Sequence, residues 1–205
     1  MVYLCPMNFL AHAYLSFNDP DILAGNMISD FVKGKKQYTY PARIQKGIRL
    51  HRLIDTFTDT HECTKEIKKF FQPAYGLYAG AFTDIVYDYF LANDKNEFAS
   101  GMVLEEFTKL AYVQLQQNMY VLPESFQHMF PYMREHNWLY NYRQTSGIMK
   151  SFNGMSQRAK YITESATAYS IFNNNISAMQ PLYEEYFPML KHYAFSCLQD
   201  LLQND

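Results

Sequence analysis

The stretch Gly47-Ile48-Arg49-Leu50-His51-Arg52-Leu53-Ile54-Asp55-Thr56-Phe57-Thr58-Asp59-Thr60-His61 decides how the chain is read. On a helix turning about 100° per residue, Ile44, Ile48, His51, Asp55 and Asp59 share one face. Leu50, Leu53, Ile54 and Phe57 form a second apolar arc, and Gln45, Arg49, Arg52 and Thr56 a narrow polar one. A helix apolar over most of its circumference is expected to be buried. His51 and Asp55 then continue an apolar stripe where leucine or valine is expected. A buried carboxylate needs hydrogen-bond donors, a cation or a metal beside it.

The same conflict recurs on both sides of that helix. Between Pro73 and Ala92 the only charged residues are Asp84 and Asp88, one turn apart and in line with Leu77, Ala81 and Leu91. Upstream, Asp19 as N-cap and Pro20 at the first position start a helix expected to reach about Val32. Leu23, Asn26, Met27 and Asp30 share one of its faces, and Asp30 stands against the dipole at its C-terminal end. Asn8–Ser16 reads as a short helix with His12 one turn after Asn8. Taken singly, a core histidine is most often just hydrogen-bonded, and Asp59 could cap the next helix. Taken together, like charges gathered in one core repel unless they are protonated or metal-bound. Mixed nitrogen and oxygen donors suit Mn²⁺, Fe²⁺ or Zn²⁺, and a carboxylate-rich set leans to Mn²⁺ or Mg²⁺. No CxxC, HExxH, Walker A or GxGxxG motif offers competing chemistry.

The remaining chain predicts an all-α protein. The central helix opens at Pro41 and runs to about Asp59. Helices are expected over His61–Phe71, Leu77–Leu91, Val103–Leu122, Glu124–His136 (kinked or divided at Pro131), Trp138–Tyr142 and Thr145–Arg158. Pro73 and Gly76 mark a turn, and Ile162–Asp205 reads as two helices split near Gln180-Pro181. Clean alternation and hairpin turns are missing. The expectation is one compact multi-helical domain of about eight to ten helices over 1–205, with Met1–Pro6 an extension ahead of Met7.

Bulk properties narrow the function classes. The chain has 205 residues, of which 48% are hydrophobic and 17% aromatic, enough for a real core and against disorder. A net charge of -2 excludes a broadly basic nucleic-acid binder but allows a local basic patch. Cys5, Cys63 and Cys197 lack paired spacing and read as reduced thiols of a cytosolic protein. No apolar run reaches the roughly 18 residues of a membrane span, and the start lacks a signal-peptide pattern. Lys33, Lys35 and Lys36 form a basic loop, and Arg49 and Arg52 border the His51/Asp55 face. They are either a solvated edge or a patch for phosphate and an acidic partner.

Several short motifs fall in one order: Met7-Asn-Phe-Leu-Ala-His12, Leu23-Ala-Gly-Asn26, Ser29-Asp30-Phe31-Val32-Lys33-Gly34, Gly47-Ile48, His51-Arg52, Ile54-Asp55 and Thr58-Asp59. Asp84, Tyr87-Asp88, Phe90-Leu91, Asn137-Trp138-Leu139 and Met155-Ser156-Gln157-Arg158 follow. In them the chain resembles the acyl carrier protein phosphodiesterase family, a divergent, distantly HD-like relative of the helical metal phosphohydrolases. It contains no His-Asp doublet; His51-Arg52 with Asp55 stands in that place. The resemblance implies Mn²⁺-dependent hydrolysis, with Mg²⁺ or Fe²⁺ as other candidates. The bond cleaved would join 4′-phosphopantetheine to a serine of holo acyl carrier protein. Asp30, His51, Asp55 and Asp88 are then the expected metal ligands, with Asp84 and His12 next. Asp59 would orient water, Arg52 would neutralise phosphate charge and His12 would protonate the leaving serine. Lys33, Lys35, Lys36, Arg49 and Arg158 would bind substrate. Two other readings compete: a phosphohydrolase of nucleotides or other small phosphoesters, and a metal-free helical module that docks carrier proteins.

Overall fold

The structure, a computed structural model, describes residues 8–203; Cys5, the Met1–Pro6 extension and Met7 lie outside the described residues. Those residues form ten α-helices and no strand: α1 (Phe9–Tyr14), α2 (Pro20–Ile28), α3 (Ala42–Thr60), α4 (Glu62–Tyr75), α5 (Ala79–Asn93), α6 (Gly101–Gln117), α7 (Glu124–Glu135), α8 (Trp138–Asn141), α9 (Thr145–Arg158) and α10 (Ala166–Gln203).

The backbones of α2 and α3 meet at two glycines. A Cβ added to Gly25 would lie 2.1 Å from the Ile44 carbonyl oxygen, and one added to Gly47 would lie 2.4 Å from that of Ile22. Only glycine lets the two backbones meet in this way. Ile22, Ile28, Ile44, Ile48 and Leu50, each at most 1% exposed, close the seam around the glycines. The Asp19 side chain caps α2 as expected, accepting from the Asp21 and Ile22 amides, and an ion pair with Arg43 of α3 strengthens the same end.

The helix expected to end at Leu122 is α6, which ends at Gln117 and is followed by a 3₁₀ turn at Met119–Val121. Three other differences arise where tertiary contacts override a local signal. α2 stops at Ile28 instead of Val32, and Ser29–Phe31 continues as a 3₁₀ turn. The Ser29 hydroxyl donates to the Ile48 carbonyl at 3.3 Å, which ties the turn to α3. α4 runs through Pro73 and stops only at Gly76, whose φ is +52°. Its last turn is held by Tyr75, which packs on Phe82 and accepts from the Ala168 amide at 2.8 Å. The C-terminal region is one helix of 38 residues, not two, despite Pro181 and Pro188. Phe172, Met179, Tyr183, Tyr186, Phe187, Leu190 and Ala194 bury one face of it. Beyond Pro181, Tyr183 donates to Asp94 at 3.0 Å, and the Tyr186 hydroxyl meets that of Thr58 on α3 at 2.6 Å. This packing offsets the hydrogen bond each proline removes. α7 likewise stays a single element around Pro131.

Gly47→Ala should therefore force α2 from α3. Overpacking of this kind costs about 1–3 kcal/mol, or roughly 2–12 °C of Tm for a chain of this size, measurable by thermal circular dichroism. An unchanged Tm would contradict the backbone contact described here.

Candidate metal centre

The centre is assembled where α1, α2 and α3 meet. α1 carries His12, the 3₁₀ turn after α2 carries Asp30, and α3 carries His51 and Asp55 one turn apart. The two imidazoles stack with centroids 3.8 Å apart and 17° between their planes. Both are buried, at 2% and 4% exposure.

One residue orients both rings. Asn26, fully buried on α2, accepts from His12 Nδ1 through its side-chain oxygen at 2.8 Å. Its main-chain carbonyl accepts from His51 Nδ1, also at 2.8 Å. That carbonyl lies in the last turn of α2, where helical donors run out. The Asn26 amide nitrogen donates to the His12 carbonyl at 2.9 Å and to Ser16 Oγ at 3.1 Å, which fixes which side of the amide is oxygen. Because a carbonyl can only accept, both Nδ1 atoms must carry hydrogen. In the neutral rings both Nε2 lone pairs then point away from Asn26, toward Asp55.

The Asp55 carboxylate spans the pair. One oxygen lies 3.3 Å from His12 Nε2 and the other 3.1 Å from His51 Nε2. Asp30 approaches His51 Nε2 from the other flank at 3.3 Å. Neither Nε2 makes a hydrogen bond of acceptable geometry, so two buried polar atoms are left unsatisfied. Atoms bound about 2.1 Å from a common cation sit roughly 3.0–3.4 Å apart, so these spacings fit a shared ion. One donor atom each from His12, His51 and Asp55 all lie within 4.8 Å of one another. Imidazoles whose Nδ1–H is held by carbonyls are the common arrangement around divalent metals, and the residues present fit such an ion.

Without an ion, the carboxylates act on the rings through their charge. Burial works against a proton on His51, but the Asp55 and Asp30 carboxylates outweigh it and raise the pKa to about 10. Burial and the neighbouring His51 charge lower that of His12. Burial also disfavours charge on Asp55, yet the two histidines hold its carboxyl well below the usual range. Beside the centre a cleft of about 220 Å³ is lined by Asp55, Thr58, Asp59, Tyr78 and Asp84 among others. Burial, then the charges of Asp55 and Asp59, push the Asp84 carboxyl well above its ordinary value, although Lys68 opposes them. A cation in the cleft would relieve that crowding.

Not every expected residue converges here. Both Asp88 oxygens accept main-chain hydrogens at the start of α1, from Leu10 at 3.0 Å and Ala11 at 2.8 Å, and Asp88 is outside the donor cluster. Its fully buried carboxylate anchors the helix that carries His12. Arg52 turns outward, donating to Gln37 at 2.7 Å and to the Val32 carbonyl at 3.2 Å. Asp59 pairs with Lys68 at 2.7 Å, and the cap of α4 is His61 rather than Asp59. Arg49 and Arg52 line a separate groove of about 660 Å³ with Lys46 and Gln37. Lys33, Lys35 and Lys36 are exposed on the chain leading into α3, while Arg158 lines another cavity on α9. Asn26, which the sequence places on one face with Leu23, Met27 and Asp30, is the residue of the centre without a role in the sequence reading. Its signal was an asparagine on an otherwise apolar helix face, one turn before Asp30.

A family model described as Acyl carrier protein phosphodiesterase matches residues 7–190. The chain belongs to the acyl carrier protein phosphodiesterase family. A Photorhabdus laumondii protein named acyl carrier protein phosphodiesterase is 29% identical over 196 residues, covering 94% of this chain and 99% of its own. Proteins of the same name from an Enterobacter species and from Escherichia coli are 29% and 27% identical, covering 90% and 92% of this chain and 95% and 97% of their own. No solved structure matches the chain. Among the described residues no helix is long and apolar enough to cross a membrane.

Replacing Asn26 with alanine should leave the helices in place yet free both rings to rotate. Loss of such outer support typically weakens metal binding about 10–100-fold. Calorimetric titration of the variant with Mn²⁺ should show that drop, and wild-type affinity would remove Asn26 from this role.

Proposed function

We propose that this protein hydrolyses the phosphodiester between 4′-phosphopantetheine and a serine of holo acyl carrier protein, releasing apo carrier protein and 4′-phosphopantetheine, at the His12–His51–Asp55 centre. The observation that carries the reading is the pair of buried Nε2 atoms, fixed by Asn26 and facing one carboxylate, in a chain of this family. Asp30, beside His51, and Asp84, in the acidic cleft, lie outside the close cluster of three and are the proposed further carboxylate ligands at its edges. Mn²⁺ is the proposed ion, with Mg²⁺ or Fe²⁺ the other candidates; when bound, it supplies a Lewis acid for the phosphoryl oxygen and lowers the pKa of a water.

The chain's own groups do the rest. Asp59 borders the cleft and is exposed enough to orient water while Lys68 holds one of its oxygens. With Nδ1–H committed to Asn26, His12 presents only an acceptor to the centre, so its proposed place is among the ligands and not as proton donor. Thr58 lines the cleft wall, its hydroxyl donated to the Ile54 carbonyl. Lys33, Lys35, Lys36, Arg49 and Arg52 present cations along one exposed flank. They would draw in an acidic carrier protein, more through association rate than through final affinity.

Holo carrier protein incubated with the protein and Mn²⁺ should lose the mass of one phosphopantetheine by mass spectrometry. A nucleotide panel should stay intact, and chelator should stop the reaction. Hydrolysis of nucleotides with intact carrier protein would replace this reading. Asp55→Asn, nearly isosteric, should abolish turnover with the circular dichroism spectrum retained; full activity would rule out the centre. A Lys35→Glu, Lys36→Glu double variant should lower kcat/KM for the carrier protein. The deficit should shrink as salt screens the charges.

A further inference from the structure

The motifs Asn137-Trp138-Leu139 and Ser156-Gln157-Arg158 contribute nothing to the metal centre, yet both border one cavity. It lies between α8 and α9 as an open-mouthed cavity of about 480 Å³, with Lys150, Gln157 and Arg158 exposed at its edge, and shares no lining residue with the centre or its acidic cleft. That volume is in the range of small-molecule sites. Gly147 lines the cavity, and a Cβ there would stand 2.0 Å from the Asn141 carbonyl oxygen, so α8 and α9 meet tightly at that point. Seven residues on, Gly154 adds no side chain, and the Arg158 guanidinium lies 3.6 Å from where its Cβ would be.

The lining is chemically one-sided. Lys150 and Arg158 supply two cations and no carboxylate lines the cavity, whereas three carboxylates line the cleft of the centre. Asn141, Ser151 and Gln157 add neutral donors and acceptors, and Trp138 adds a flat apolar wall. Tyr142, 3% exposed, closes the inner side and donates to Asp88, which in turn holds the start of α1. The cavity thus ends two hydrogen bonds from the helix that carries His12.

We propose that this cavity binds a phosphate monoester carrying an amide-containing chain, the phosphate on Lys150 and Arg158, the amides on Asn141, Ser151 and Gln157. That is the chemistry of 4′-phosphopantetheine, so the choice of ligand rests on the reaction proposed above. Arginine suits the phosphate because its planar fork can make two parallel hydrogen bonds. The side-chain amides can both donate to and accept from a chain amide.

Trp138 is the single tryptophan of the chain, so its emission reports on the cavity directly. Titrating the Mn²⁺-loaded protein with 4′-phosphopantetheine should change that emission saturably, and the change should persist in chelator. Pantetheine without phosphate, and inorganic phosphate without the chain, should each bind more weakly. Lys150→Gln and Arg158→Gln should each weaken binding about tenfold or more. Gly154→Leu, which fills the cavity without altering charge, should abolish it. No saturable change, a response lost in chelator, equal affinity for pantetheine or for inorganic phosphate, or wild-type affinity in all three variants would overturn the proposal. Turnover of holo carrier protein without a Trp138 response would sink this inference and leave the reaction standing. A Trp138 response without turnover would do the reverse.

Discussion

A single buried asparagine fixes the geometry on which the centre depends. Asn26 spends its side-chain oxygen on His12, its main-chain oxygen on His51 and its amide hydrogens on the His12 carbonyl and Ser16. Those groups are buried and mutually satisfied, so rotating either ring would leave a carbonyl without its donor at about 1–3 kcal/mol each. The same bonds choose the tautomer. In the neutral rings they put hydrogen on both Nδ1 atoms and turn both Nε2 lone pairs toward Asp55, the orientation that metal ligation requires.

That arrangement depends on backbone contact. Asn26 can reach His51 because its neighbour Gly25 and Gly47, one turn before His51, allow α2 and α3 to touch. The contact also sets the chain direction after α2. The helix ends at Ile28, the 3₁₀ turn at Ser29–Phe31 swings Asp30 to the flank of His51, and Arg52 clasps the Val32 carbonyl behind it. Arg52 therefore helps to hold an acid beside the centre from outside, while His51, its neighbour in sequence, faces inward. From the third side Asp88 pins the first amides of α1 and so places His12.

The protein separates its charges by task. Carboxylates gather in the cleft beside the stacked histidines, cations on the flank of α3, and a second cation pair in the α8–α9 cavity. With a net charge of only -2, these local fields, not the global charge, decide what approaches where. The long α10 supports that layout. It packs along α3, α4, α5 and α9, and it reaches α3 through Tyr186 and Thr58, beside the centre.

The sequence by itself determined the all-α class, most helix positions and the anomaly that exposed the site, because an acid or histidine on an apolar helix face is a local conflict visible in the 3.6-residue period. His12, Asp30, His51 and Asp55, which the fold brings together, and Asp84, which lines the neighbouring cleft, stood out as candidates in that way. Asp88 was equally conspicuous, one turn from Asp84 on the same face, and no local signal separates the two. Only the docking of α1 onto α5 turns Asp88 into a helix anchor and leaves Asp84 in the cleft. Asn26 gave the weaker signal of an uncharged polar residue, since its importance lies in two hydrogen bonds that span 14 and 25 residues of sequence. The continuity of α10 through two prolines was likewise settled by burial along its length. Periodicity records which face a residue occupies; which partner meets that face depends on how the helices pack, and that is decided by glycine contacts and buried hydrogen bonds between segments far apart in the chain.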